Sequence, residues 1–394
     1  MFSKFISRIW PGRQLDPSVT PPQQSSRKAA ENTCPHCGHT KTVPPVGDAI
    51  GTVHRPQALK DLCLRVGQDL QKYGVIIHGG GGDDDILRQL KLPMRGACHG
   101  CQKPKLSLQV ATHAGRTNAE KSNNEDFVIG WMPKAGQKNA PVRMAVAMAD
   151  GVSSCLYPEW AAEAACWRSL QELLHRAGAD QSSAPAALEQ VETLAEYSFD
   201  AVLASLRSIR DEITAKASAY KPVGEFESTW NYRLQKGKLL QTTLMLAWVD
   251  QKNTLHIASV GDGGALLRKV GRRRGTLAKA GEILMNCDAN TNDVQALGPN
   301  NPDFRKLTPD QRCAWLRIES RDFQDRRRCL LFTDGVGRCF AENPMELFSF
   351  VEKRTNRRAN DLPLRCLEYL ADAAHWPPQV SPDNLTLVII DSGR

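Results

Sequence analysis

The chain has 394 residues, 41% hydrophobic and 24% charged, with a formal net charge of +8. That composition is globular, and the length leaves room for one large domain with an appendage. No run of 18 apolar residues occurs and the N-terminus lacks an apolar core, so neither a membrane-spanning helix nor a secretory leader is expected.

Residues 1–30 carry Lys4, Arg8, Arg13, Arg27 and Lys28 against Asp16, amid Pro, Gln and Ser, and are expected to be a disordered basic tail. Cys34-Pro35-His36-Cys37 and Cys98-His99-Gly100-Cys101 can together supply four thiolates, the ligand count of a tetrahedral structural zinc site. Residues 31–105 are therefore read as a small zinc-ribbon-like module. Its insertion is a helix at about Gln57 to Tyr73 and a flexible loop at Gly79 to Asp85. Many of the other cysteines, such as Cys166 and Cys329, fall inside apolar runs, which fits a reducing cytoplasm.

From Lys105 the character changes. Leu106–Thr112 alternates as a strand, and Asp126–Trp131 is read as its partner across a polar loop ending in Glu125-Asp126. Those two acids are either a charged strand edge or part of a site. Met144–Ala149, bounded by Pro141 and Gly151, is too short for a typical helix and reads as a buried strand ending in Asp150-Gly151. Pro158–His175 has apolar residues at helical spacing with Pro in its first turn, and a longer helix is expected from about Ala184 to Ala219. Strands follow at Thr242–Val249 and Thr254–Val260. Gly261-Asp262-Gly263-Gly264 reads as a tight turn that returns Ala265–Val270 as a hairpin. His256, inside a strand, is expected in the core or at an edge.

Cys329–Thr333 is a further strand running into Asp334-Gly335. Helices are expected at Pro344–Lys353 and Pro363–His375, and Asp383-Asn384 leads into the closing strand Leu385–Ile390. Two groups of strands enclosing helices predict an α+β fold over residues 106–394: an antiparallel two-sheet β-sandwich flanked by helical layers. Asp150, Asp334 and Asp383 each stand at the end of an apolar strand, and Asp150 has the Gly151 carbonyl beside it. Such oxygens suit a hard divalent cation, and the three acids are read as one metal-binding cluster.

In chain order, Asn-Glu125-Asp126, Ala-Asp150-Gly151-Val, Thr242-Thr243, Val-Gly261-Asp262, Thr-Asp334-Gly335 and Asp383-Asn384-Leu-Thr resemble the motifs of metal-dependent Ser/Thr protein phosphatases of type 2C. The resemblance spans about Leu106 to Asp391 and is nearest the bacterial branch, in which Val follows the first Asp-Gly. It implies that Asp150 bridges two Mg2+ or Mn2+ ions with the Gly151 carbonyl on one of them, and that Asp334 and Asp383 hold the other. Glu125 and Asp126 would hold metal-bound waters, and Asp262 with Asp334 a third, looser ion. The implied activity is hydrolysis of phosphoserine and phosphothreonine by a two-metal-activated water. Phosphorylated proteins would be the substrates, and a partner Ser/Thr kinase would be opposed.

Two positions depart from the family pattern. The Arg that grips the substrate phosphate is replaced by Lys121, and Arg116 in the longer loop is the other candidate. Val152 stands where eukaryotic members have a proton-donating His; bacterial members also lack it. No Cys-x5-Arg loop surrounds any of the twelve cysteines. Two other readings remain open. One is a catalytically silent phosphatase-fold regulator, which the Lys121 substitution favours. The other is a zinc-ribbon nucleic-acid adaptor using the tail with Arg272–Arg274 and Arg326–Arg328. Those clusters lack interleaved aromatics, so nucleic acid is not the expected partner.

Overall fold

The computed structural model describes residues 32–33, 40–41, 55–80, 88–92, 106–113, 124–134, 137, 140–179, 188–221, 227–269, 281–287, 295–324, 327–354, 362–371 and 383–393. The chain divides into two units, Met1–Gly51 and Thr52–Arg394. In the first, strands β1 (Asn32–Thr33) and β2 (Thr40–Lys41) pair antiparallel. Cys34, Cys37, Cys98 and Cys101, and the expected basic tail, lie outside the described residues.

The second unit opens with helix α1 (Gln57–Tyr73), then strands β3 (Gly74–Gly80), β4 (Arg88–Leu92), β5 (Leu106–His113), β6 (Asp126–Pro133) and β7 (Met144–Asp150). Helices α2 (Pro158–Ala179), α3 (Leu188–Ala215), α4 (Ala217–Tyr220) and α5 (Glu227–Gln235) follow. Next come β8 (Leu244–Val249), β9 (Thr254–Val260), β10 (Gly264–Lys269), β11 (Glu282–Met285), α6 (Pro309–Trp315), β12 (Arg317–Asp322) and β13 (Arg327–Phe332). The chain closes with α7 (Asp334–Arg338), α8 (Glu346–Arg354), α9 (Leu362–Ala371) and β14 (Leu385–Ser392). No helix among the described residues is long and apolar enough to cross a membrane.

The strands form two six-stranded antiparallel sheets, one ordered β11-β10-β13-β14-β5-β4 and the other β12-β9-β8-β7-β6-β3. Their facing sides share one core, which includes Leu108, Val110, Met144, Val146, Met148, Leu331, Val388 and Ile390. Helices α1, α2 and α3 cover the outer face of the second sheet, and α8 and α9 that of the first. The run Met144–Ala149 shows how one short sequence serves two cores. Met144, Val146 and Met148 fill the space between the sheets, while Ala145, Ala147 and Ala149 face the helices. Their small side chains let α2 approach with its own Ala161, Ala162, Ala164 and Ala165.

Three expectations are corrected. Leu106–His113 and Asp126–Pro133 are not partners: β5 pairs with β14 and β4, and β6 with β7 and β3, in opposite sheets. Likewise β9 and β10 do not form a hairpin, because β9 pairs with β8 and β12 while β10 pairs with β13 and β11. The Gly261–Gly263 turn is a corner from one sheet to the other. A sandwich corner and a hairpin turn draw on the same small residues, so composition cannot separate them.

Third, α1, β3 and β4, all before residue 106, belong to the same unit as the sandwich. Gly79 and Gly80 are in a strand, paired with Val128 and Phe127, and Arg88–Leu92 pairs with Thr112–Leu108. Helix α1 buries Leu59, Leu62, Val66 and Leu70 in the outer core, and Trp131 Nε1 donates to Leu70 O at 3.2 Å. The apolar i, i+3, i+7, i+11 stripe of this helix therefore faces the outer side of the second sheet rather than a separate module.

Candidate active site

Four strand ends and one corner meet at one end of the sandwich. Asp126 opens β6, Asp150 closes β7, and the antiparallel register sets them directly opposite each other. In the other sheet Asp334 follows β13 and Asp383 precedes β14, adjacent strands whose pairing reaches Phe332 and Leu387. Asp262 lies in the corner between β9 and β10, where Gly261 takes φ +105°, a conformation that suits glycine. A Cβ on Gly335 would lie 2.0 Å from the Asn384 carbonyl oxygen. Only glycine there lets the first turn of α7 press against the start of β14, which brings Asp334 beside Asp383.

Asp126 is fully buried, and its Oδ2 accepts from Thr386 Oγ1 at 2.7 Å and Thr333 Oγ1 at 3.0 Å. These two bonds tie an acid of one sheet to the strand ends of the other. Asp150 is held through its backbone: its N–H donates to Thr243 Oγ1 at 3.2 Å and its carbonyl accepts from Thr243 N at 2.8 Å. The half-buried Glu125 donates its N–H to Asn384 Oδ1 at 2.9 Å, and its carboxylate accepts from Ser153 Oγ. Gly151, buried, donates its N–H to Glu125 O at 3.2 Å.

The acids raise one another's proton affinity. Burial, and then the charges of Asp383 and Asp334, push Asp126 up to about 7, against the hydrogen bond from Thr386. Burial followed by the charges of Asp126, Asp334 and Asp383 pushes Asp150 well above the carboxylate range. Asp262 rises to about 6 through burial and the Asp334 charge, with Arg338 and Arg317 opposing. Such raised values mark a pocket short of positive charge.

Sequence reasoning missed Arg338. It ends α7 one turn after Asp334, and its Nη1 lies 2.6 Å from Asp383 Oδ2 while its Nη2 bonds Asp334 Oδ2. The four-residue spacing on a helix is the signal that could have found it. Sequence reasoning also gave no role to Thr333, Thr386, Asn384 or Ser153, which position the acids. Lys121 and Arg116 lie outside the described residues.

The donor set is oxygen throughout, carboxylates with the Gly151 carbonyl, the chemistry that hard divalent cations require. Asp126 Oδ1 is buried with no hydrogen-bond donor. In donor type these residues fit Mg2+ or Mn2+. Among the described residues no three acidic, His or Cys side chains already stand as a coordination cage. Asp334 and Asp383 are instead joined through the Arg338 guanidinium.

Elsewhere, His256 is buried as expected, with Nδ1 2.9 Å from Ser320 Oγ and Nε2 3.4 Å from Asp250 Oδ2. Of the basic cluster at 326–328, Arg328 is bonded through Nε and Nη2 to Asp391 at 2.7 and 3.0 Å, and Arg327 lies 3.5 Å from Asp322. Arg328 is thus held within the fold, while the Arg327 pair is partly exposed.

A family model described as "Protein phosphatase 2C" matches residues 119–367, more than half of the chain. No curated protein sequence matches it. Among solved structures, the serine-threonine phosphatase 2C of Toxoplasma gondii is 11% identical, with 77% of this chain and 99% of that chain covered and a TM-score of 0.49. The photosystem II phosphatase PBCP is 15% identical, with 73% and 99% covered and a TM-score of 0.37. The PP2C phosphatase domain of the cell fate determinant SpoIIE from Bacillus subtilis, solved with a fragment of its regulatory domain, is 12% identical, with 86% and 77% covered and a TM-score of 0.37.

Proposed function

The chain belongs to the protein phosphatase 2C family, and from that premise we propose that it is a metal-dependent protein serine/threonine phosphatase. The observation that carries this reading is the meeting of Asp126, Asp150, Asp262, Asp334 and Asp383 in one under-neutralised pocket. When bound, a pair of Mg2+ or Mn2+ ions, with a third at Asp262, would supply an acidified water and offset charge on the phosphoryl oxygens. Asp150, Gly151, Asp334 and Asp383 would hold the pair, with Glu125 and Asp126 orienting the surrounding water.

The chain's own part is positioning. Thr333 and Thr386 fix the Asp126 carboxylate, and Thr243 fixes the backbone that presents Asp150. Gripping the substrate phosphate falls to Lys121 or Arg116; the first offers a point charge and the second a bidentate fork. Val152 has no ionisable proton to give, so the departing alkoxide would take its proton from solvent or from water held in the centre, as in bacterial-type members. The physiological role we propose is to reverse a partner Ser/Thr kinase, with the residues before Thr52 available for docking. A structural zinc on Cys34, Cys37, Cys98 and Cys101 belongs to the same proposal, and metal analysis of wild type and Cys98→Ser tests it.

The deciding experiment is release of phosphate from a phosphothreonine peptide with and without Mn2+, by wild type and Asp334→Asn. The expected result is Mn2+-dependent turnover that the variant lacks; equal activity of the two proteins removes Asp334 from the site. One observation favours a second reading, a catalytically silent regulator: a guanidinium stands where ions are needed. Mn2+ binding without turnover on any phosphopeptide would establish it.

A further inference from the structure

Asp334 and Asp383 approach each other from the ends of neighbouring strands, and the Arg338 guanidinium occupies one oxygen of each. An oxygen that accepts from a guanidinium aims a lone pair at N–H and not at an ion. Arginine cannot give way by losing its proton at any physiological pH. A guanidinium held inside the cluster also repels an incoming divalent cation at short range. The two cations therefore compete for Asp334 Oδ2 and Asp383 Oδ2.

The fit of the guanidinium is partial. Its Nε is buried with no hydrogen-bond partner, and Asp126 Oδ1 has none either. One unit of positive charge is set against four clustered carboxylates, Asp126, Asp150, Asp334 and Asp383, so the pocket retains a demand for more. The Arg338 side chain keeps 29% of its exposure, against 5% for Asp334 and 7% for Asp383. It is therefore the most solvent-accessible of the three side chains.

We propose that Arg338 is a resident counter-cation that competes with divalent metal ions for Asp334 and Asp383, so that loading the centre requires its guanidinium to swing out. The inference rests on the metal-centre reading above and adds a regulation of that site. Arg338 holds the metal-free acids together and lowers the affinity for ions. Occupancy of the site then depends on metal concentration over a higher range than the carboxylates alone would set.

The test is calorimetric titration of Mn2+ into the full chain, for wild type, Arg338→Met and Arg338→Lys. Removing the two charge-assisted contacts of Arg338 is expected to tighten Mn2+ binding by roughly tenfold or more in Arg338→Met, with a smaller gain in Arg338→Lys, which keeps a charge but loses the fork. In EDTA the Arg338→Met protein is expected to melt below wild type, and Mn2+ to raise its melting temperature by more. Binding by Arg338→Met that equals or falls below wild type overturns the proposal. If Arg338→Met fails to fold, Arg338→Lys decides: tighter binding supports the proposal and unchanged binding overturns it. Absence of Mn2+ binding to both wild type and variants overturns the metal-centre reading, and this inference with it.

Discussion

Asp126 stands directly opposite Asp150 across the β6–β7 ladder, two carboxylates at the end of a buried sheet. Burial and the charges of Asp383 and Asp334 work against an ionised Asp126, and carboxylates about 5 Å apart repel by roughly 3 kcal/mol at an effective dielectric near 20. Asp126→Asn keeps an acceptor oxygen for Thr333 and Thr386 and removes the charge. At pH 8 in EDTA the variant is expected to gain about 1–3 kcal/mol in urea unfolding, while its Mn2+-dependent rise in melting temperature shrinks. Lower stability of the variant in EDTA would show that repulsion does not dominate there.

A second prediction concerns the N-terminus of α1, which has no side-chain cap of its own. Glu212 of α3 caps it from outside, accepting from Gln57 N at 3.1 Å and Ala58 N at 2.7 Å. Burial works against the charge of Glu212, yet these amides, Tyr220 and Lys216 hold its carboxyl down at about 2. A depressed folded value contributes stability above the unfolded value near 4.5, which is lost as pH falls toward 2. Glu212→Gln is expected to cost about 1 kcal/mol near neutral pH. The difference from wild type, followed by urea unfolding, should close between about pH 4.5 and 2. A gap that does not depend on pH would show that the charge of Glu212 is not what caps the helix.

Arg328 and Asp391 form a bidentate pair across β13 and β14, with little of either side chain exposed. Asp391→Ala strands the guanidinium and is expected to destabilise by about 3 kcal/mol. Arg328→Met combined with Asp391→Leu should recover most of that loss, because both buried charges go together. Urea unfolding of the three variants checks both statements, and failure of the double variant to recover would place the cost in packing instead.

The domain boundary yields a truncation test. The unit Thr52–Arg394 contains α1, β3 and β4. A chain starting at Thr52 is expected to unfold cooperatively in urea, like the full protein. A chain starting at Leu106 loses the partner strands of β5 and β6 and the cover over Trp131, and is expected to aggregate. Soluble, cooperative folding of the shorter chain would restore the boundary at 105/106.

Much of the architecture was legible because Asp-Gly after a short apolar run marks a strand end, as at Asp150 and Asp334. The pairings were less legible. In β7 both residue sets are apolar, since helices cover one face and the other sheet covers the other, so the period of two survives only as large against small. Gly261–Gly263 reads equally well as a hairpin turn and as a corner, and only the long-range register separates them. Arg338 escaped notice because α7 is a five-residue helix with two glycines, too short for any periodicity to show. Helix α1 was seen, but its partners lie beyond a stretch of Gly and Asp that suggested a linker.

The acid cluster is drawn half from each sheet, with Asp126 and Asp150 on one side and Asp334 and Asp383 on the other. Whatever cation sits among them works as a clasp across the mouth of the sandwich, where the apolar filling gives out. Chemistry and mechanical cohesion are thus vested in the same few oxygens. A change of occupant there alters how readily the two halves of the molecule part, and hydrogen exchange along β7 and β13 would register it even when no substrate is present.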